Sequence, residues 1–203
     1  MIKIHLREHS THKAGYSFDE HFDLDNYTSA DEIIQELMEQ TKNTIIENGL
    51  NVNDFSPLKE WLITDLEIDS DYLNCNDIGF DEHMSIDKLL KINETLNGDK
   101  YFHEDNDLVI KLYMETSGSN IEEALEKVNK GDLSIIELRR CAYKTEIQIL
   151  GEGLIDNAEV CGLDIPDYLI HYIDEEKFGR DFGTGYYTVH TFKNGKIYAI
   201  RAD

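Results

Sequence analysis

A chain of 203 residues with 42 Asp and Glu against 19 Lys and Arg carries a formal charge of −23 at pH 7, with 40% apolar and 10% aromatic residues. That apolar content supports a real core and excludes intrinsic disorder, no apolar run is long enough to span a bilayer, and the acid excess excludes direct nucleic-acid binding, which needs a basic footprint. Cys75, Cys141 and Cys161 are odd in number and form no C-x-x-C pair, so they read as reduced thiols of a cytoplasmic protein without signal peptide.

Ile2, Ile4 and Leu6 alternate with polar residues and predict an opening strand, with 17–24 as its hairpin partner. Ser29 caps a helix with Glu32 at the capping-box position; Ile33, Ile34, Leu37, Met38, Thr41 and Ile45 form one face and Gly49 ends it. Residues 60–68 read as a strand, followed by an acidic loop from Asp69 to Glu82. Ser85 opens a helix through Ile86, Leu89, Leu90 and Leu96, closed by Asn97-Gly98; 108–114 leans to helix. Ser119 or Asn120 caps a further helix through Ala124, Leu125 and Val128, stopped by Gly131.

A short strand over 133–138, a helix over 140–150 and a second helix with Pro166 in its first turn come next. The chain closes on a hairpin, 186–192 and 197–200 around Asn194-Gly195, the strongest short hairpin signal. These elements predict an α+β fold in three parts: an N-terminal α+β domain at 1–82, a helical middle domain at 83–131 and a C-terminal α+β domain at 132–203. Each end carries a small antiparallel sheet with helices.

The charge is not spread evenly. Between Gly15 and Ile110 stand twenty-four acids and five bases, a net −19. A soluble domain needs only a net charge of about 2–8, and any excess adds self-repulsion. The acids occupy predicted helices, strands and loops, so they form a folded polyanionic surface. Duplex DNA carries one charge per about 1.7 Å, so 23 charges match roughly 39 Å of duplex and a dimer roughly 78 Å. A compact globule of this length is only about 40–45 Å across. Matching DNA along a useful length therefore requires an elongated chain paired with a second copy. The plain alternative is that acidity serves solubility alone.

Catalytic and metal signals are weak. No G-x-S-x-G, P-loop, G-x-G-x-x-G or H-E-x-x-H is present, so neither an enzyme nor a cofactor is expected. His5, His9 and His12 would share a face only on a helix, whereas their segment reads as strand into loop. The loop at 69–79 is rich in oxygen ligands, but Leu73 or Ile78 falls at the fifth position of either calcium register. No dedicated metal site is expected.

Three segments resemble the ArdA antirestriction family. Residues 57–67, Pro-Leu-Lys-Glu-Trp-Leu-Ile-Thr-Asp-Leu-Glu, are similar to its acidic strand, and 85–93, Ser-Ile-Asp-Lys-Leu-Leu-Lys-Ile-Asn, to a helix start. The most specific is 165–174, Ile-Pro-Asp-Tyr-Leu-Ile-His-Tyr-Ile-Asp, continuing through Phe178-Gly179-Arg180-Asp181. Gly15 before Phe22-Asp23-Leu24 also suits the family opening, without its tryptophan. The chain departs from the family in extra sequence around 43–54 and 116–140. Gln148-Ile149-Leu150-Gly151-Glu152-Gly153 also matches poorly the helix that precedes the signature. The fold therefore carries over better than the partner specificity.

The resemblance implies an elongated homodimer that looks like bent B-form DNA and occupies the DNA-binding groove of type I restriction–modification enzymes, without chemistry. Asp19, Glu20, Asp23, Asp25, Asp31, Glu32, Glu36, Asp65, Glu67, Asp69, Asp71, Asp77, Asp81 and Glu82 are the expected phosphate mimics. Tyr168, Leu169, Tyr172, Ile173 and Phe178 are expected in core packing or subunit pairing, and Arg180 and Asp181 in an internal or inter-subunit ion pair. Two other readings stay open. One is a mimic aimed at another DNA-binding protein, such as a CRISPR effector, a nucleoid protein or another defence protein, which a pull-down from host extract separates. The other is a general acidic adaptor, which would bind basic proteins without stoichiometric preference.

Overall fold

The computed structural model describes residues 2–16, 18–55, 60–98 and 106–202. The opening strand β1 (Ile2–Glu8) buries Ile2, Ile4 and Leu6 completely and turns Lys3, His5 and Arg7 to the opposite face. A short helix follows where a loop is expected: α1 (His9–Lys13). Buried Glu8 caps it, its Oε2 accepting from the Thr11 amide at 2.9 Å and the Ser10 hydroxyl at 2.6 Å. Glutamate is not among the preferred caps, and five residues are too few to show a helical period, so neither signal stood in the sequence.

β2 (Asp19–Asp23) and β3 (Trp61–Ile68) flank β1 antiparallel, in the order β2-β1-β3. Ser17, at the expected start of β2, and Pro57, Leu58 and Lys59 of the first family-like segment lie outside the described residues. On the β3 side, His5 pairs with Asp65 and Leu6 with Ile63, so Thr64 is the extra residue of a bulge. Ser29 caps α2 (Ala30–Glu47) at the Glu32 amide. The Glu32 carboxylate reaches one residue beyond a capping box, to the Thr28 amide at 3.0 Å. Ile33, Leu37, Thr41 and Ile45 are buried, and Gly49 closes the helix with φ +71°.

α3 (Ile86–Leu96) forms as expected, although the Ser85 side chain makes no cap bond. Its buried Asn93 accepts from the Ile2 amide at 2.8 Å and donates to Asp25 at 2.8 Å, tying α3 to the start of β1 with both ends of the amide satisfied. The apolar run 108–114 lies in α4 (Asn106–Ser117), and α5 (Ile121–Lys130) begins where Asn120 accepts from the Glu123 amide.

The chain divides into two compact units, Met1–Lys111 with Asn120–Leu125, and Leu112–Ser119 with Glu126–Asp203. The second unit holds β4 (Leu133–Leu138), β5 (Thr188–Thr191) and β6 (Ile197–Ala202), antiparallel in the order β4-β6-β5. The Asn194-Gly195 turn joins β5 and β6, with Gly195 at φ +89°.

The helix expected over 140–150 lies instead over Glu146–Asp156 (α6). Thr145 and Gln148 form a reciprocal capping box that fixes its start, and the chain before it is a turn. Pro166 stands at the cap of the four-residue α7 (Asp167–Ile170), with ψ 132°, rather than inside the first turn. α8 (Glu175–Phe178) and a π-turn over Gly179–Gly183 complete the unit around Ile136, Leu138, Ile149, Leu150, Leu154 and Tyr187.

Candidate functional site

The expected phosphate mimics, all in the first unit, fall into three groups. The first lies on the face of the sheet opposite Ile2, Ile4 and Leu6. Register places Asp19 beside Arg7, His21 and Asp65 on either side of His5, and Asp23 and Glu67 on either side of Lys3. Four expected phosphate mimics thus flank a central column of basic side chains. Arg7 donates to both oxygens of Asp19, at 2.7 and 2.6 Å. That bidentate bond holds the Asp19 carboxyl below the usual range, against the opposing effect of burial. Thr64 of the bulge adds a longer bond to Asp19 at 3.4 Å. Asp65 accepts from the Leu66 amide at 2.9 Å.

The second group surrounds the start of α2. Asp25 accepts from the side-chain amides of Asn93 at 2.8 Å and Asn97 at 2.7 Å, and these bonds, Asn93 first, draw its pKa down. Hydrogen bonds from Thr28, the backbone amide first, do the same for Glu32. Glu36 accepts from the Tyr27 hydroxyl at 2.8 Å and from Gln40 at 2.8 Å; burial, then Glu36, push Tyr27 up to about 12. Burial pushes Glu20 upward. Asp31 is exposed in the first turn of α2, where a negative charge suits the helix dipole.

The third group is the loop 69–82. Asp69, Asp71, Asp81 and Glu82 are exposed. Asp77 is not: its side chain is 15% exposed and bonded to the Lys111 ammonium at 2.6 Å, while its other oxygen accepts from the Asn74 amide. A lysine therefore occupies one of the three carboxylates of the segment 69–79 that invites a calcium reading. The three histidines of the first segment turn to different partners: His5 to His21 at 3.0 Å, His9 towards Glu60 at 3.9 Å and His12 to Arg7 at 3.4 Å.

Expected mimics are thus unequal. Asp31, Asp69, Asp71, Asp81 and Glu82 face solvent, whereas Asp19 and Asp77 neutralise cations. Exposed Glu39, Glu47, Asp54, Asp87 and Glu94 widen the anionic surface and are absent from the expected set. For Glu39 and Glu47 the signal was available, since both lie on the polar side of α2.

In the second unit Tyr168, Leu169 and Tyr172 are 73%, 41% and 85% exposed. Ile173 is half-buried, and Phe178 packs against the core and lies against Phe182, with centroids 4.6 Å apart and the rings tilted by 31°. Arg180 donates to Glu176 at 2.8 Å, and Asp181 is exposed. Gly179 of the same segment lies against α6: a Cβ there would come within 2.1 Å of the Ile147 carbonyl oxygen. One on Gly151 would come within 1.9 Å of the Glu175 carbonyl oxygen.

No described helix is long and apolar enough to cross a membrane. Among curated proteins no significant match to this chain is found. The family model described as antirestriction protein (ArdA) matches residues 8–196, from the end of β1 to the final hairpin, so this chain belongs to the ArdA family.

Proposed function

We propose that the chain exerts the antirestriction function of its family by imitating B-form DNA, as a homodimer, and by competitively occupying the DNA-binding groove of a type I restriction–modification enzyme. Antirestriction, directed at restriction–modification enzymes in general, follows from family membership. The observation that carries the finer reading is the concentration of acid: a net −19 between Gly15 and Ile110, with exposed carboxylates on α2 and along the loop 69–82. A groove built to release counterions from phosphates meets a preformed row of carboxylates instead, and charge complementarity speeds the encounter.

Inhibition in this scheme involves no bond making. Bound carboxylates exclude DNA from the enzyme, so binding, methylation and cleavage fall together. Tyr168, Leu169 and Tyr172 are assigned to the pairing of two subunits, because tyrosines and an apolar neighbour this exposed fit an interface better than open solvent.

The test is a titration of purified protein into a type I enzyme at two salt concentrations, following DNA binding, methylation and cleavage. Stoichiometric loss of all three, weaker at the higher salt, is the expected result. DNA binding that survives a large excess of the protein overturns the mimicry.

A further inference from the structure

The outward face of the first sheet carries two neighbouring histidines that the antirestriction reading leaves unused, beside Asp65 and Glu67, which it counts among the phosphate mimics. His5 sits on the central strand, and register sets His21 of β2 and Asp65 of β3 directly across from it. Directly opposed side chains in antiparallel strands have Cβ atoms about 4.5–5.5 Å apart, close enough for their tips to converge on one point. Here they converge. His21 Nδ1 stands 3.0 Å from His5 Nε2, with ring centroids 3.9 Å apart and the planes inclined by 59°. Glu67 Oε1 lies 4.0 Å from the same His5 nitrogen, and the ligand atoms of His5, Asp65 and Glu67 all fall within 4.8 Å of one another.

We propose that His5 Nε2, His21 Nδ1 and the carboxylates of Asp65 and Glu67 form a binding site for a divalent transition-metal ion of the zinc class. Zinc binds imidazole nitrogen and carboxylate oxygen at about 2.0–2.2 Å, which separates tetrahedral ligands by roughly 3.3 Å. The two nitrogens already stand near that spacing. Glu67, 61% exposed at its side chain, and exposed Asp65 have room to turn towards His21 and complete the set. Two imidazoles select against calcium and magnesium, which take oxygen ligands, and suit zinc, nickel or copper.

The backbone supports this geometry. The bulge at Thr64 shifts register next to His5, so that Asp65 faces His5 and Glu67 faces Lys3 in the adjacent row. One oxygen of Asp65 is fixed by the Leu66 amide, which orients the carboxyl and leaves the other oxygen for a metal. A cavity of about 420 Å³, lined by Lys3, His5, His21, Phe22, Asp23 and Glu67, opens over three of the four ligands, with Asp65 outside its lining, and admits an ion with its waters. The Lys3 ammonium is the one opposing charge in that lining. Two ligand carboxylates and Asp23 outweigh it, and the acid surface around them concentrates divalent cations near the site. A bound ion would join β2, β1 and β3 through their side chains, a different task from imitating phosphate that draws on two of the same carboxylates.

The experiment is a zinc titration of untagged, metal-stripped full-length protein, followed by calorimetry with millimolar magnesium present to occupy exposed carboxylates. One saturable equivalent is expected, with a rise in melting temperature on zinc addition. His21→Gln and His5→Gln should each weaken binding at least tenfold and abolish that rise. A His83→Gln, His171→Gln double variant should bind as the parent does. His21 lies at an exposed position of an edge strand, so H21Q tests the site even if H5Q fails to fold, with circular dichroism as the check. Cobalt in place of zinc should give the visible absorption of a low-symmetry site in the parent and lose it in H21Q. Zinc uptake no stronger than the magnesium background, or a saturable site unchanged in both H5Q and H21Q, overturns the proposal.

Discussion

Arg7 and Asp19 face each other across β1 and β2 with two short, parallel charge-assisted bonds, at 2.7 and 2.6 Å. An exposed ion pair contributes about 0–1 kcal/mol, and fork-to-fork geometry on a partly shielded face places this one towards the upper end. The sign of its pH dependence follows from the Arg7 hydrogen bond, which lowers the Asp19 pKa in the folded state. Stability from such a carboxyl is fully present above the unfolded value of about 3.9 and is lost as pH falls through the lower folded value. Asp25, drawn down by Asn93 and Asn97, acts in the same direction. Glu20, pushed up by burial, acts in the opposite one and favours the fold less as its proton leaves. Asp19→Asn should therefore leave a shallower acid limb in unfolding free energy measured from pH 2 to 6. An acid limb as steep as that of the parent would mean that the pair contributes nothing to folding.

At the scale of elements, the contact between α6 and the chain of α8 and the π-turn is made backbone to backbone. Gly151 and Gly179 are both buried, and each would place a Cβ within about 2 Å of a carbonyl oxygen that cannot rotate away (1.9 Å from Glu175, 2.1 Å from Ile147). Gly153 differs, since its Cβ would meet the end of the Leu138 side chain, at 2.2 Å, which has other rotamers. Gly151→Ala and Gly179→Ala should thus cost at least about 1–3 kcal/mol. At this size each kcal/mol lowers the melting temperature by about 2–4 °C. Gly153→Ala should cost less than either, and equal losses at all three would show that the close approach is not what holds these elements.

This contact also explains what the sequence let one read. Alternation in Ile2-Ile4-Leu6, the Asn194-Gly195 turn and the caps at Ser29 and Asn120 are local signals, and the elements they mark are present. The pattern from Arg140 onward carries no stop and extends the expected helix too early, whereas the reciprocal Thr145–Gln148 box sets the actual start of α6. Gly179 stood in the family-like signature without a reason; its reason, the partner Gly151, is a long-range contact. The same holds for the site. Acid density was legible, but which carboxylates meet Arg7, Lys111 or a pair of histidines depends on register and on a bulge that no spacing along one strand reveals.

For the molecule as a whole, the proposed interaction is a sum of many small terms, and its test must be collective. Asp31, Glu39, Asp69, Asp71 and Glu82 are exposed, and among the described residues no lysine or arginine reaches them. Changing one of them to the amide removes about 0.5 kcal/mol of exposed-charge interaction, roughly a twofold loss of affinity for the target. Changing all five moves the formal charge from −23 to −18. It should weaken inhibition by about 2–3 kcal/mol, roughly 30–150-fold, and flatten its salt dependence. Self-repulsion falls at the same time, so the five-fold variant should melt no lower than the parent. The pairing of these readouts separates mimicry from damage: weaker inhibition by a protein at least as stable can come only from the missing surface charge. Full inhibition by the five-fold variant would place recognition elsewhere, and abolition by Asp71→Asn alone would replace a distributed surface with a single anchoring contact.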